Sequence, residues 1–367
     1  MHQPIKFLEL AHFWTAHWNE IINDLERFIK DGVYIGGEHL ENFEEAFAKW
    51  TNARFAHGVG NGLDAIKIAL TAMGIGNGDE VIVPSNTFIA TWLAASEVNC
   101  TIKSVEPNWT THVLDVESIR AAITSSTKCL IYVTLYGNAD DLQEISRICK
   151  QKNIKLIIDA AQSHGTKIHG RGLGEFGDAV CYSFYPGKTL GGIGDGGAIT
   201  TNSKSISNKT LLLRNYGSKK KYCHDIKGFN SRLDPIQAIF LSKKMEGITN
   251  EISIRQKQMQ RYQCELNNEW ATMVRSHDFI DVSWHLAVGV FRHRDELQNH
   301  LREANIETII HYPVPVHLQP AYLEMSTNSC MSQTEMYSNN LLSLPLGSHL
   351  NNCDIDYVID KVKQFYN

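Results

Sequence analysis

Between residues 80 and 201, short and nearly unbroken apolar runs alternate with amphipathic stretches, and no other feature restricts the fold as strongly. The runs lie at 80–84, 129–135, 155–160 and 179–184, with further strand signals at 101–105 and 197–201. Helical spacing of apolar residues falls between them, at 87–97, 116–123 and 140–151. A strand that is apolar on both sides has both of its faces covered, so the alternation predicts an α/β fold with a mainly parallel sheet between helical layers. In such a sheet, ligands bind in the crevice outside the carboxyl edge. That rule directs attention to Asp159, the carboxylate ending the apolar run Lys155-Leu-Ile-Ile-Asp159.

The flanking regions complete the outline. Helices are predicted at 14–28, 39–50 and 61–73, the last opened by the turn Gly58-Val-Gly-Asn-Gly62. A long stretch with few glycines or prolines, 235–267, reads as a helix linking two domains. A strand at 282–291, a helix at 294–305, a strand at 307–311 and a helix at 355–365 then suit a smaller α+β domain. The expected division is a large domain over 1–245 and a small C-terminal domain over 246–367, without internal repeats or a disordered linker.

Composition narrows the class. Hydrophobic residues make up 43% of the chain and charged residues 20%, as in ordinary globular proteins. A net charge of -5 argues against nucleic-acid binding, and the short run Lys219-Lys-Lys221 is a solvated surface feature. No apolar segment approaches the roughly 18 residues of a membrane span. The first residues lack a basic region followed by an apolar one, so the expectation is a cytoplasmic protein. The eight cysteines are scattered and form no C-x-x-C pair, which suits thiols of a reducing compartment and no metal site.

Four local clusters carry chemistry. Ser183-Phe-Tyr-Pro-Gly-Lys188-Thr189 is followed by the glycine-rich Gly191-Gly-Ile-Gly-Asp-Gly-Gly197. A lysine buried at a strand end loses affinity for its proton and can form a Schiff base and shuttle protons. Gly187-Lys188-Thr189 matches the tail of a P-loop, but the glycine required five positions earlier is Tyr182, which removes that reading. In Asp159-Ala-Ala-Gln162-Ser-His164-Gly165, a strand-end carboxylate can pair with a pyridinium nitrogen, while Gln162 and His164 suit the grip on a ring hydroxyl. An isolated aspartate is equally a helix cap or a metal ligand, and His164 equally a structural hydrogen-bond partner. Gly60-Asn-Gly62-Leu63-Asp-Ala65 opens a helix whose free amides form an anion site. Phe88, in Pro84-Ser-Asn-Thr-Phe88, can stack on a flat cofactor or sit in the core.

In order along the chain, these clusters resemble the DegT/DnrJ/EryC1/StrS family of nucleotide-sugar aminotransferases, which have the aspartate-aminotransferase (type I) fold. The resemblance also runs through Gly32-Val-Tyr-Ile-Gly-Gly37, Leu135-Tyr-Gly137, Gly228-Phe-Asn-Ser-Arg-Leu-Asp234 and Ser343-Leu-Pro345. It implies a seven-stranded, mainly parallel sheet in the large domain and pyridoxal phosphate (PLP, cycling with its amine form PMP) as cofactor. Lys188 would hold that cofactor and act as acid–base catalyst, Asp159 would meet the pyridine nitrogen, and Gln162 the ring hydroxyl. Phe88 would stack on the ring, and the amides of Gly62 and Leu63 with the Ser183 hydroxyl would bind the phosphate. Many members carry threonine at the position of Leu63, so only its backbone contact carries over. Asn230 would reach the partner's phosphate, which implies a homodimer with shared active sites.

A minority branch has histidine in place of the lysine and dehydrates its sugar, so Lys188 argues for transamination, with L-glutamate as the family's usual donor. Three segments look most like the branch that aminates C3 of dTDP-3-keto-6-deoxyhexoses: the Gly60 cluster, Arg214-Asn-Tyr-Gly-Ser218, and Ile310-His-Tyr-Pro-Val-Pro-Val-His317-Leu-Gln-Pro-Ala-Tyr322. His311, Tyr312, His317 and Tyr185 are the expected substrate-lining residues. The proline-rich segment also reads as a plain surface turn. Amination at C4, as in perosamine-type sugars, is the alternative chemistry, and a regulatory role without catalysis is the alternative class.

Overall fold

The computed structural model describes residues 3–326 and 331–367, and Cys330 lies outside them. The apolar runs pair into one seven-stranded sheet. Its strands are β1 (Phe55–Val59), β2 (Glu80–Pro84), β3 (Thr101–Val105), β4 (Thr127–Val133), β5 (Lys155–Asp159), β6 (Ala179–Ser183) and β7 (Gly197–Thr201). The spatial order is β1-β7-β6-β5-β4-β2-β3. Every pair from β3 across to β6 is parallel, while β7 runs antiparallel to both β6 and β1.

The packing explains why the strands read as continuous apolar runs. Ile82, Leu130, Tyr132, Leu156, Ile158, Val180 and Tyr182 enter one hydrophobic cluster. Their neighbours Val81, Val83, Cys129, Ile131, Ile157, Ala179 and Cys181 enter another. Alternate side chains of the same strands thus fill cores on opposite faces. The first core takes Phe43 and Phe47 of α2 (Glu38–Trp50) and Leu142 and Ile145 of the helix Leu142–Gln151. The second takes Ala65, Ile66 and Ala69 of α3 (Gly62–Met73) and Trp92 of α4 (Ile89–Glu97).

Strand β1 had no signal in the sequence. Its run Phe55-Ala-His-Gly-Val59 is broken by polar and flexible residues, yet it is buried because Leu233 and Leu40 close over Gly58, where a Cβ would lie 2.6 Å from Leu233 Cβ. Three other expectations change. The expected strand at 282–291 is paired only over Ala287–Phe291, since Trp284 has φ 41° and turns the chain first. The expected strand at 307–311 does not form. Ile306 bridges Ile5 and Ile309 bridges Ser343, so the run is stretched between different partners instead of lying along one. Short strands at Ala271–Met273 and Leu341–Leu344 flank Ala287–Phe291 in a three-stranded antiparallel sheet.

The long helix, Pro235–Leu266, starts with proline in its first turn, where a missing amide hydrogen does no harm, and continues unbroken through residue 245. One end packs against the helix Ala11–Asp31 and α2, the other against the small sheet. Seven described cysteines are free thiols. Among the described residues, no helix is long and apolar enough to cross a membrane.

Candidate active site

Parallel register brings the strand ends together. Val133 lies opposite Asp159, and Asp159 opposite Cys181. Two residues past Cys181, on the same face of β6, Ser183 reaches the start of α3. A Cβ built on Gly62 would lie 2.8 Å from Ser183 Cβ. Only glycine lets helix and strand approach so closely. Asn61 caps α3, its side chain accepting from Asp64 N at 2.8 Å and its carbonyl from Ala65 N at 3.1 Å. The amides of Gly62 and Leu63 remain as the helix's free donors, a cup for an anion beside the Ser183 hydroxyl.

Asp159 is buried. One carboxylate oxygen accepts from Thr91 Oγ1 at 2.8 Å and the other from Ala161 N at 3.2 Å. Thr91 is held in turn by Thr87, Oγ1 to Oγ1 at 2.9 Å. Burial raises the Asp159 pKa, opposed by these hydrogen bonds and by the charge of Lys188. The carboxylate is therefore short of a cation and can take one more.

Lys188 follows from the end of β6. Its amide donates to Tyr185 O at 2.8 Å, and Gly192 N donates to Phe184 O at 2.8 Å, folding the segment into a tight loop. Gly191 sits so close to Pro186 that a Cβ there would be 2.3 Å from its carbonyl oxygen. Burial lowers the Lys188 pKa to about 8, with Asp159 pulling the other way. A lysine poised there is partly neutral near physiological pH, the state a nucleophilic amine needs.

Gln162 is buried and its orientation is settled by a donor. Tyr136 N–H donates to Gln162 Oε1 at 2.7 Å, so Nε2 faces the other way and donates to the Tyr312 hydroxyl at 3.1 Å. Tyr136 itself stands at φ 60°, and its hydroxyl donates to His311 O at 2.7 Å. The Tyr312 ring lies 5.8 Å from Phe88, whose side chain is 56% exposed over the site. His311 accepts or donates at Ser343 Oγ, 2.9 Å from its Nδ1. Burial, aided by the charge of Lys188, holds His311 down to about 4 and His164 to about 3, so both rings are neutral. The His164 ring packs on Tyr182 and Phe184.

Asp159, Gln162, Lys188, Phe88, His311 and Tyr312 are thus gathered at the carboxyl edge, with the Gly62, Leu63 and Ser183 cup beside them. Three further residues expected in the site have different surroundings. His317 is buried and paired with Glu335, Nε2 to Oε1 at 3.1 Å, next to core residues Val316 and Tyr322. Its ring fastens the proline-rich segment to Glu335. Tyr185 is 58% exposed, and Asn230 is exposed beside Ser231, whose hydroxyl accepts from Gly60 N at 2.9 Å. Thr91 and Tyr136 had no assigned role from sequence. Tyr136 lies within the quoted Leu135-Tyr-Gly137, where Gly137 has φ 97° and a Cβ would be 2.9 Å from Trp284 N, so the motif marked the place without its purpose.

A free-amide cup, a partly neutral lysine, a cation-short carboxylate and an oriented amide fit the phosphate, aldehyde, ring nitrogen and ring hydroxyl of pyridoxal phosphate. The model of the DegT/DnrJ/EryC1/StrS aminotransferase family matches residues 16–363. The chain is 40% identical over 98% of its length to the erythromycin biosynthesis sensory transduction protein EryC1 of Saccharopolyspora erythraea, covering 99% of that protein. It is 40% identical, over the same shares, to the dTDP-3-amino-3,6-dideoxy-alpha-D-galactopyranose transaminase of Aneurinibacillus thermoaerophilus. It superposes on S. venezuelae DesV in complex with a ketimine intermediate with a TM-score of 0.95, at 37% identity and 99% of each chain.

Proposed function

The chain belongs to the DegT/DnrJ/EryC1/StrS aminotransferase family, and from that premise we propose that it aminates C3 of a dTDP-linked 3-keto-6-deoxyhexose. The sugar has the galacto or gluco configuration, and L-glutamate is the donor. The observation carrying the reading is Lys188 beside Asp159 in a chain that matches a dTDP-3-amino-sugar transaminase over nearly its whole length. The family works with pyridoxal phosphate. Bound here, that group supplies an aldehyde carbon able to carry an amino group and a ring that withdraws electrons.

The protein's own residues do the rest. Lys188 Nζ holds the cofactor between turnovers and, once released, moves a proton away from the donor Cα and returns one at the sugar carbon. Asp159 pairs with the protonated ring nitrogen, and that cation replaces the charge its burial lacks. The Gln162 amide turns to the ring hydroxyl, and Phe88 covers the ring face. The amides of Gly62 and Leu63 and the hydroxyl of Ser183 take the phosphate. His311, Tyr312 and Tyr185 meet the sugar, and His317 supports the segment that carries them. Over the cycle, glutamate leaves as 2-oxoglutarate and the keto sugar as an amino sugar.

A homodimer fits two further features. Val33, Tyr34 and Ile35 are a consecutive exposed apolar run, beside which Ile29 is also exposed, as a subunit interface requires. Asn230, exposed on its own protomer, is free to serve a partner's phosphate.

The test is incubation of the purified protein with pyridoxal phosphate, glutamate and each dTDP-3-keto-6-deoxyhexose, with mass and NMR analysis of the product. A 3-amino sugar is expected. Turnover of only 4-keto sugars would move the reaction to C4, and loss of a sugar hydroxyl without glutamate would make the protein a dehydratase. A protein that never develops the visible band of a lysine-bound cofactor would be a regulator.

A further inference from the structure

A second lysine lies behind the loop that carries Lys188. Lys244, on the helix Pro235–Leu266, donates to the carbonyl oxygens of Gly191 at 3.3 Å and Lys188 at 3.5 Å. Its ammonium also sits over two aromatic faces of the helix Ala11–Asp31, 6.0 Å from the Phe13 centroid and 5.8 Å from that of Trp14. The adjacent Lys243 behaves differently, pairing with Glu20 and with Glu246 on the outer side. No carboxylate among the described residues makes such an ion pair with Lys244. Its hydrogen-bonding capacity therefore goes to one loop, at both ends of the segment 188–191. Burial pulls its pKa to about 8, despite the opposing charge of Glu251, so withdrawing this cation from water opposes folding.

We propose that Lys244 is a positioning residue: it pins the 188–191 loop against two helices and so fixes the point from which Lys188 reaches the cofactor. The inference rests on the reading of Lys188 as the residue that holds the cofactor. The physical basis is the geometry of the loop. The Lys188 amide is already used in a tight turn with Tyr185 O, and the carbonyls of Lys188 and Gly191 accept from Lys244. Without the ammonium those carbonyls lose a charge-assisted donor, and the loop gains freedom at its base. A displacement of about 1 Å at a reacting amine is enough to slow a step on the order of a hundredfold.

The test compares the full chain with Lys244→Met and Lys244→Arg, with and without pyridoxal phosphate. Hydrogen exchange of the 185–192 segment is expected to quicken roughly tenfold in Lys244→Met, and Lys244→Arg to stay near the parent. In the loaded protein, the pH midpoint of the visible absorbance band shifts in Lys244→Met and its decay on adding glutamate slows roughly tenfold or more, with partial recovery in Lys244→Arg. If Lys244→Met does not fold, Lys244→Gln carries the same expectation with a smaller effect. Unchanged exchange overturns the proposal. So does a lowered melting temperature accompanied by an unchanged midpoint and decay rate, which would make Lys244 only a brace. If the parent protein never forms the band, the reading of Lys188 fails, while the exchange result still decides whether Lys244 holds the loop.

Discussion

The floor of the site and its wall are built in different ways. The floor consists of Asp159, Gln162, Ser183 and the Gly62–Leu63 cup, all within a few residues of a strand end or a helix start. Sheet pairing, parallel around Asp159 and antiparallel from Ser183 through β7 to β1, sets the strand ends side by side, and side-chain bonds such as Thr91 to Asp159 and Asn61 to Asp64 hold them. The wall, His311 and Tyr312, comes from an irregular segment attached by a few long-range bonds: the backbone pair of Ile309 and Ser343, His311 to Ser343, Tyr136 to His311 and Gln162 to Tyr312. A floor assembled by a sheet is rigid and generic. A wall suspended from a few long-range bonds is adjustable, which suits the sugar-facing role proposed for it.

The comparison predicts large losses from floor substitutions and small, selective ones from the wall. Lys188→Ala is expected to lower amino-sugar formation about a thousandfold or more and to abolish the visible band of the loaded protein; a variant that turns over normally would break the scheme. Asp159→Asn keeps shape and removes charge. It should slow the glutamate half-reaction on the order of a hundredfold, read by stopped-flow absorbance, and an unchanged rate would take Asp159 out of its role. Gly62→Ala forces a Cβ against Ser183 at 2.8 Å. Cofactor affinity measured by titration should fall about tenfold or more, well beyond the effect of Ser183→Ala.

On the wall, Tyr312→Phe removes the hydroxyl that accepts from Gln162 and is expected to change KM for the sugar a few-fold while leaving cofactor binding intact. His317→Ala removes a buried ring and its bond to the half-exposed Glu335. It should cost about 1–3 kcal/mol of stability by thermal unfolding, with little effect on the glutamate half-reaction. A loss of half-reaction rate as large as that of Asp159→Asn would erase the distinction between floor and wall.

Lys188 also has a pH signature. Its folded pKa, about 8, lies below the usual lysine value, so the folded protein releases this proton first. From about pH 8 up to the unfolded lysine pKa, near 10.4, the unfolded chain binds more protons, and this group makes stability rise with pH. Below pH 8 both states are protonated and its burial opposes folding by a constant amount. Capture of pyridoxal phosphate by the amine should follow the neutral fraction, increasing through pH 8 and levelling above it. A rate flat from pH 6 to 9 would mean that another group sets the step.

Legibility in the sequence followed the same division. Alternating apolar runs announced the parallel sheet, because side chains filling two cores must be apolar on both sides, and the one carboxylate at the end of such a run marked the ligand edge. Helix-opening glycines marked the anion cup for a similarly local reason. Strand β1 and the failed strand at 307–311 were hidden because their fate depends on partners far along the chain: Leu233 over Gly58, and Ile5 and Ser343 pulling on the two isoleucines.

What the sequence by itself determined is the fold class, the family and the residues next to strand ends, Lys188 among them. The fold class follows from periodicity, the family from the resemblance its ordered motifs carry, and the residues from short spacings along the chain. Only the tertiary structure decided that Tyr136 orients Gln162, that His317 pairs with Glu335, and that Lys244 reaches the Lys188 carbonyl. Each of those contacts joins residues 18 to 56 positions apart. No local pattern encodes which polar groups will meet once distant segments are packed, because a hydrogen bond depends on distances of a few ångströms that the whole fold sets.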